Sequence, residues 1–160
     1  MTELTRLRHN SFVVLGRAGM DLYADPPGTR TEEARAFVAH LGGSAANIAA
    51  ALVRQGAKAR LRTRVSQDAV GRFVLAELDR YGIGRAHVGP TGGEARTSLA
   101  VVETRAEDCQ SVIYRNGAAD FHVSEEQARG IDLDPFGALI LTGTCLAMQP
   151  SRGATMLVIQ

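Results

Sequence analysis

Leu41-Gly42-Gly43-Ser44-Ala45-Ala46-Asn47-Ile48 is the stretch whose reading decides the fold. Two glycines end an extended segment and a helix of small residues starts at once, with Ser44 as its expected cap and Gly56 where a helix stops. Consecutive glycines let backbone come close to a ligand, because no Cβ intervenes. The helix N-terminus behind them presents unpaired N–H groups and the positive end of its dipole. Asn47, one turn in, carries an amide donor and acceptor. The arrangement suits a polar small molecule. The alternative is a plain strand-to-helix turn in which glycine serves close packing.

Working outward, Ser11 to Gly16 is a short apolar run that reads as a buried strand of a parallel sheet. Gly16-Arg17-Ala18-Gly19-Met20-Asp21 follows at its C-terminal end, where open α/β sheets hold ligands. Asp21 is a candidate for binding hydroxyls, since an ionised carboxylate accepts two at once; a turn or cap aspartate is the alternative. Asp25-Pro26-Pro27-Gly28 reads as a turn, and Ala36 to Leu41 as a strand of a small second sheet. The helix from Ser44 places Ala45, Ile48, Ala49, Leu52 and Val53 on one core stripe. Ala59 to Val65 alternates and is expected nearer a sheet edge. A helix with Val70, Phe73, Val74, Leu78 and Tyr81 on one face follows it. Gly82-Ile83-Gly84 reads as the end of that helix. Two βα units in a row predict an α/β protein with a mostly parallel sheet flanked by helices.

The pattern then changes. Thr97 to Thr104 and Cys109 to Asn116 are β-rich runs joined by four polar or small residues, a hairpin signature and hence an antiparallel lid over a site. Ser124-Glu125-Glu126-Gln127 is a capping box opening a short helix. Phe136 to Thr142 returns to the buried-strand pattern, and Pro150-Ser151 could start another helix.

Composition bounds the function. Lys and Arg total 18 against 17 for Asp and Glu, so no basic face is implied and nucleic acid is not an expected partner. Met1 to Ser11 is polar, without the apolar core of a signal peptide, and no apolar run is long enough to span a bilayer. No membrane partner is expected. Two cysteines, Cys109 and Cys145, make no disulfide framework and read as reduced thiols of a cytoplasmic protein. The four histidines (His9, His40, His87, His122) show no metal-ligand spacing, and neither a phosphate loop of the G-x-x-x-x-G-K-[ST] type nor a G-x-S-x-G elbow occurs. From chemistry alone the reading ends at a polar-ligand site under a flap.

Gly42-Gly43-Ser44-Ala45-Ala46-Asn47-Ile48-Ala49, followed by Arg64-Val65-Ser66-Gln67-Asp68-Ala69-Val70-Gly71, resembles the first signature of the ribokinase/PfkB carbohydrate kinases. The first strand with Asp21 after it, and the hairpin, fall where that family has them. Gly16 to Asp25 and Ser111 to Asp120 look most like the branch acting on 5-dehydro-2-deoxygluconate in inositol breakdown; a 2-keto-3-deoxygluconate kinase or a fructokinase is the near alternative. The resemblance implies a Rossmann-like ribokinase fold with a small antiparallel β-lid built from about 36–41 and 97–116. It implies that Asp21, Gly42, Gly43 and Asn47 contact a sugar or sugar acid, and that Arg115 stands where a cation would meet a substrate carboxylate. ATP and Mg are the implied cofactors. The resemblance assigns the catalytic base and most of the ATP pocket to a later half that residues 1–160 do not include. The expectation is therefore a truncated, sugar-binding N-terminal part that is inactive alone. It would bind sugar silently or associate, as a homodimer through the lid or through an uncovered sheet. The last stretch, Gly153 to Gln160, does not look like the helix the family has there.

Overall fold

The computed structural model describes residues 9–160; Met1 to Arg8, part of the polar start, lie outside them. In chain order the elements are β1 (Ser11–Leu15), β2 (Gly19–Asp25), β3 (Ala36–Gly42), α1 (Ser44–Arg54), β4 (Lys58–Ser66), α2 (Ala69–Arg80), β5 (Gly84–Thr91), β6 (Ser98–Val102), β7 (Ser111–Tyr114), α3 (Glu125–Arg129), β8 (Ala138–Leu141) and α4 (Ser151–Ile159). They form two four-stranded sheets. The main sheet runs β5-β4-β1-β8, all parallel, and the second runs β3-β2-β6-β7.

The main sheet is sandwiched, as its sequence pattern demands. On one face Val14, Ala59, Leu61 and Val65 meet the alanine stripe of α1 and Val74 and Leu78 of α2 in one core. Ala45, Ala46 and Ala49 are fully buried, with Ile48, Leu52 and Val53 at the margin. Burying a leucine such as Leu61 or Leu78 outright contributes about 1.5–3 kcal/mol. On the other face Val13 packs with Leu139, Ile131 and Phe136, and beyond them Val123 and Ala128 meet Ala154 of α4.

Several expectations change. β4 is interior, not near an edge: its even face carries Arg60, Arg62 and Arg64, but its odd face is core, and Arg60 lies over the Phe136 ring at 5.1 Å. An amphipathic stem lets arginine sit on an apolar face with its charge outward. β5 was not anticipated, because Gly89 and Pro90 interrupt it; it is the edge strand, where proline is tolerated. Gly82 does end α2, at φ 72°. Gly153 to Gln160 is largely helical, within α4.

The lid also differs from expectation. The β6–β7 hairpin and the β2–β3 pair are antiparallel, but β2 and β6 are parallel neighbours, so the sheet is mixed. The stretch from Gly19, to which the sequence alone assigns no element, is the strand that joins the two hairpin-like halves. Among the described residues no helix is long and apolar enough to cross a membrane.

Candidate functional site

Strand order reverses at β1. β4 lies on one side of it and β8 on the other. Such switch points are where open parallel sheets hold ligands. Here β1 passes through Gly16-Arg17-Ala18 directly into β2 of the second sheet.

Thr144, in the turn after β8, ties three segments together. Its Oγ1 accepts the Arg17 amide (3.4 Å) and shares hydrogen bonds with the hydroxyls of Thr142 (2.7 Å) and Ser44 (3.3 Å). Ser44 is thus not the cap it was expected to be. It is the first helical residue, Gly43 is the N-cap, and no side chain caps the helix. Gly43 sits at φ 99° and ψ 136°, and a Cβ there would overlap the Arg17 carbonyl. That carbonyl in turn accepts the Ala46 amide at 3.4 Å. The second glycine of the pair therefore serves close packing of the β1–β2 connection on α1.

The first glycine has a different neighbour. A Cβ on Gly42 would overlap the carboxylate of Asp21. Asp21 lies on β2 opposite His40 of β3, and its Oδ1 is buried without a hydrogen-bond partner. Burial raises the Asp21 pKa above the ordinary carboxylate value, with Arg17 and His40 opposing the shift. An acceptor held dry and unpaired, beside backbone that leaves it room, is the chemistry of a site for hydroxyl groups.

Two arginines and a second aspartate complete the cluster. Arg17 is 8% exposed and donates from Nη1 to Ser98 Oγ at 3.0 Å. Burial lowers its pKa, while Asp21 and Asp120 act in the opposite direction. Arg115, just past β7, donates from Nη2 to Asp120 and to the Thr144 carbonyl (2.7 Å) and lies over the Phe121 ring at 4.2 Å. Asp120 keeps a buried, unpartnered Oδ1.

Of the five residues singled out from sequence, the structure brings Asp21 and Gly42 into contact and seats Gly43 under Arg17. It joins Arg115 to the same neighbourhood through Asp120 and Thr144. Asn47 is placed apart: it is exposed on α1 and lines a hollow of about 350 Å³ with Leu41, Arg54 and Tyr81. Arg17, Ser98, Asp120 and Thr144 were missed. Arg17 and Thr144 each stood beside a residue already noted, but neither carries a local signal for a contact spanning 127 residues. Both cysteines are free, Cys145 buried and Cys109 exposed. Among the described residues no group of three His, Cys, Asp or Glu side chains is placed to hold a metal ion.

Comparison with known proteins gives concordant matches. A family model described as pfkB family carbohydrate kinase matches residues 9–160. The 5-dehydro-2-deoxygluconokinase of Photobacterium profundum is 37% identical over 148 residues, which is 92% of this chain and 45% of that protein. Among solved structures, a sugar kinase of Pyrococcus horikoshii in complex with ATP superposes with a TM-score of 0.79 at 23% identity, over 92% of this chain and 48% of that one. The 2-dehydro-3-deoxygluconokinase of Thermotoga maritima gives 0.79 at 22% identity, over 94% and 47%. At these identities the structural likeness establishes the fold, an α/β ribokinase-like one. The chain spans about half the length of the curated relatives it matches.

Proposed function

The chain belongs to the pfkB family of carbohydrate kinases, and from that premise we propose that it is the sugar-binding part of a cytoplasmic, ATP-dependent kinase for a sugar acid, 5-dehydro-2-deoxy-D-gluconate or a close relative. The observation that carries this reading is the Asp21 carboxylate, dry and unpaired at Oδ1, pressed against Gly42 under a lid. Asp21 accepts hydrogen bonds from substrate hydroxyls. Gly42 leaves room for that carboxylate beside the backbone, Gly43 seats the β1–β2 connection behind it, and Arg115 contributes positive charge on the lid side. Asn47 contacts substrate only if its amide turns from its own hollow toward the glycines. The name of the P. profundum relative supports the sugar acid; a fructokinase or a 2-keto-3-deoxygluconate kinase activity is the nearest alternative. ATP, with Mg, supplies the phosphoryl group, and no described residue is assigned to hold either or to act as the catalytic base.

A second reading has its own observation. The two edge strands of the lid expose large apolar side chains: Phe37 and Val38 on β3, and Val112, Ile113 and Tyr114 on β7. Open strand edges with apolar neighbours favour association. Pairing of two copies through the lid is therefore compatible with, and separable from, sugar binding.

The test is isothermal titration calorimetry of the chain with 5-dehydro-2-deoxygluconate, with fructose as the neutral comparison. Saturable binding of the acid, weakened about 10–100-fold by Asp21→Ala, is the expected result. Absence of binding to both ligands at millimolar concentration would overturn the reading.

A further inference from the structure

The Arg17 side chain is the strangest group in the molecule by ordinary accounting. It is 92% buried by its 8% exposure, yet among the described residues no carboxylate oxygen lies within salt-bridge distance of it. One protein acceptor, Ser98 Oγ, takes a hydrogen from Nη1. A guanidinium has five N–H donors. Arg115, alongside, is more fully engaged at the end of its side chain, although its Nε is buried without a partner. It is paired with Asp120, bonded to the Thr144 carbonyl and stacked on Phe121.

Arg17 cannot easily retreat from this position. Its amide is bonded to Thr144, and its carbonyl is closed in by Gly43 and the Ala46 amide. A Cβ at Gly19 would meet Ser98 and Arg17 Nη1 together, so the guanidinium lies against the base of the lid where β2 and β6 pair. Its charge stands in the field of both Asp21 and Asp120, each of which also keeps a buried oxygen unpartnered. Two buried acceptors without partners, beside guanidinium N–H groups that Ser98 does not take, match a ligand with an anionic end and several hydroxyls.

We infer that Arg17 is the specificity-determining residue of the site, receiving the carboxylate of the sugar acid through the N–H groups that Ser98 leaves free. This rests on the sugar-acid reading above and goes beyond it in assigning the acid's recognition to Arg17 ahead of Arg115. A planar guanidinium can take a carboxylate with two parallel hydrogen bonds, which a neutral sugar cannot offer. Arg115 is engaged on Nη2 by Asp120 and the Thr144 carbonyl, so its fork is already committed to one carboxylate.

The experiment compares wild type, Arg17→Gln, Arg17→Lys and Arg115→Gln by calorimetry, each titrated with 5-dehydro-2-deoxygluconate and with fructose. Circular dichroism establishes that each variant is folded. Arg17→Gln should lose about 10–100-fold in affinity for the acid while its fructose affinity stays within about threefold. Arg17→Lys, which keeps the charge without the planar fork, should lose less, and serves as the deciding variant if Arg17→Gln does not fold. Acid affinity unchanged in either folded Arg17 variant overturns this inference and leaves the sugar-acid reading standing. A larger loss in Arg115→Gln than in the Arg17 variants also overturns it. Binding of neither ligand by wild type overturns the functional reading and this inference with it.

Discussion

Glu103 and Asp21 are carboxylates at opposite ends of the lid sheet, and the protein treats them in opposite ways. Glu103, one residue past β6, is 4% exposed, and its oxygens are filled by the chain. Oε1 accepts the Thr31 amide (2.9 Å), and Oε2 accepts the Gln110 amide (3.3 Å) and Arg105 (3.4 Å). The Thr31 bond, with Gln110 and Arg105 behind it, holds the Glu103 pKa below the usual glutamate value. Asp21 is less enclosed overall, yet its Oδ1 is sealed and has no partner, and burial pushes its pKa up. Burial alone does not distinguish a structural carboxylate from a binding one. What distinguishes them is whether the chain supplies the hydrogen bonds that burial removed. Glu103 closes the far end of the hairpin; Asp21 is left open where the lid meets the main sheet.

The largest effect expected separates the two glycines that frame Asp21. Gly43→Ala forces a Cβ into the Arg17 carbonyl at a backbone angle that side chains rarely adopt, and neither can yield. Destabilisation of about 2–4 kcal/mol is expected in chemical denaturation. Gly42→Ala meets the Asp21 carboxylate, a side chain that can turn aside, and no backbone atom is among its nearest contacts. Its stability should change far less, while sugar-acid affinity falls because the carboxylate is displaced. Equal losses of stability in the two variants would break the distinction between a packing glycine and a site glycine.

Next in size is the reversal between the two carboxylates themselves. Asp21→Asn removes a charge that the fold holds dry, so its melting temperature should equal or exceed that of wild type, while affinity for the sugar acid falls about 10–100-fold. Glu103→Gln should do the converse, lowering the melting temperature and leaving affinity unchanged, because it weakens the acceptors of Thr31, Gln110 and Arg105. Melting curves and calorimetry on both variants check the pair. A melting temperature lowered by both substitutions alike would show that Asp21 is as structural as Glu103.

The same contrast explains what could be seen in the sequence. Gly42, Gly43 and the start of α1 were legible because glycine pairs and small-residue helices are local patterns, and the capping box at Ser124 and the β6–β7 hairpin were legible for the same reason. Asp21 was legible as a polar residue after a buried strand. Its strand, β2, was not: Gly19-Met20-Asp21 has no alternation to mark it, and it is held by pairing with β3 and β6, the latter about 80 residues away. Arg17, Ser98, Asp120 and Thr144 are unremarkable one at a time. They become a site only where the switch point of the main sheet folds the lid's base onto the turn after β8. β5 was hidden because glycine and proline carry local signals for turns, which an edge position overrides.

The smallest effect expected is a difference in pH dependence, and it sharpens the comparison without a ligand. Asp21 has a raised pKa, so the folded chain holds its proton to higher pH than the unfolded chain does. Above both values the ionised carboxylate subtracts from stability. As pH falls through the raised value that penalty is withdrawn. Glu103 has a lowered pKa, so its contribution is complete above the unfolded value and is lost as pH falls through the lower, folded one. Melting temperatures of wild type, Asp21→Asn and Glu103→Gln, taken in steps from pH 7 downward, give two difference curves in which other titrating groups cancel. The advantage of Asp21→Asn over wild type should shrink first, at the higher pH. The advantage of wild type over Glu103→Gln should begin to shrink only at the ordinary glutamate value and close below it. Curves that close in the reverse order would mean that the protein, and not an absent ligand, supplies the partners of Asp21.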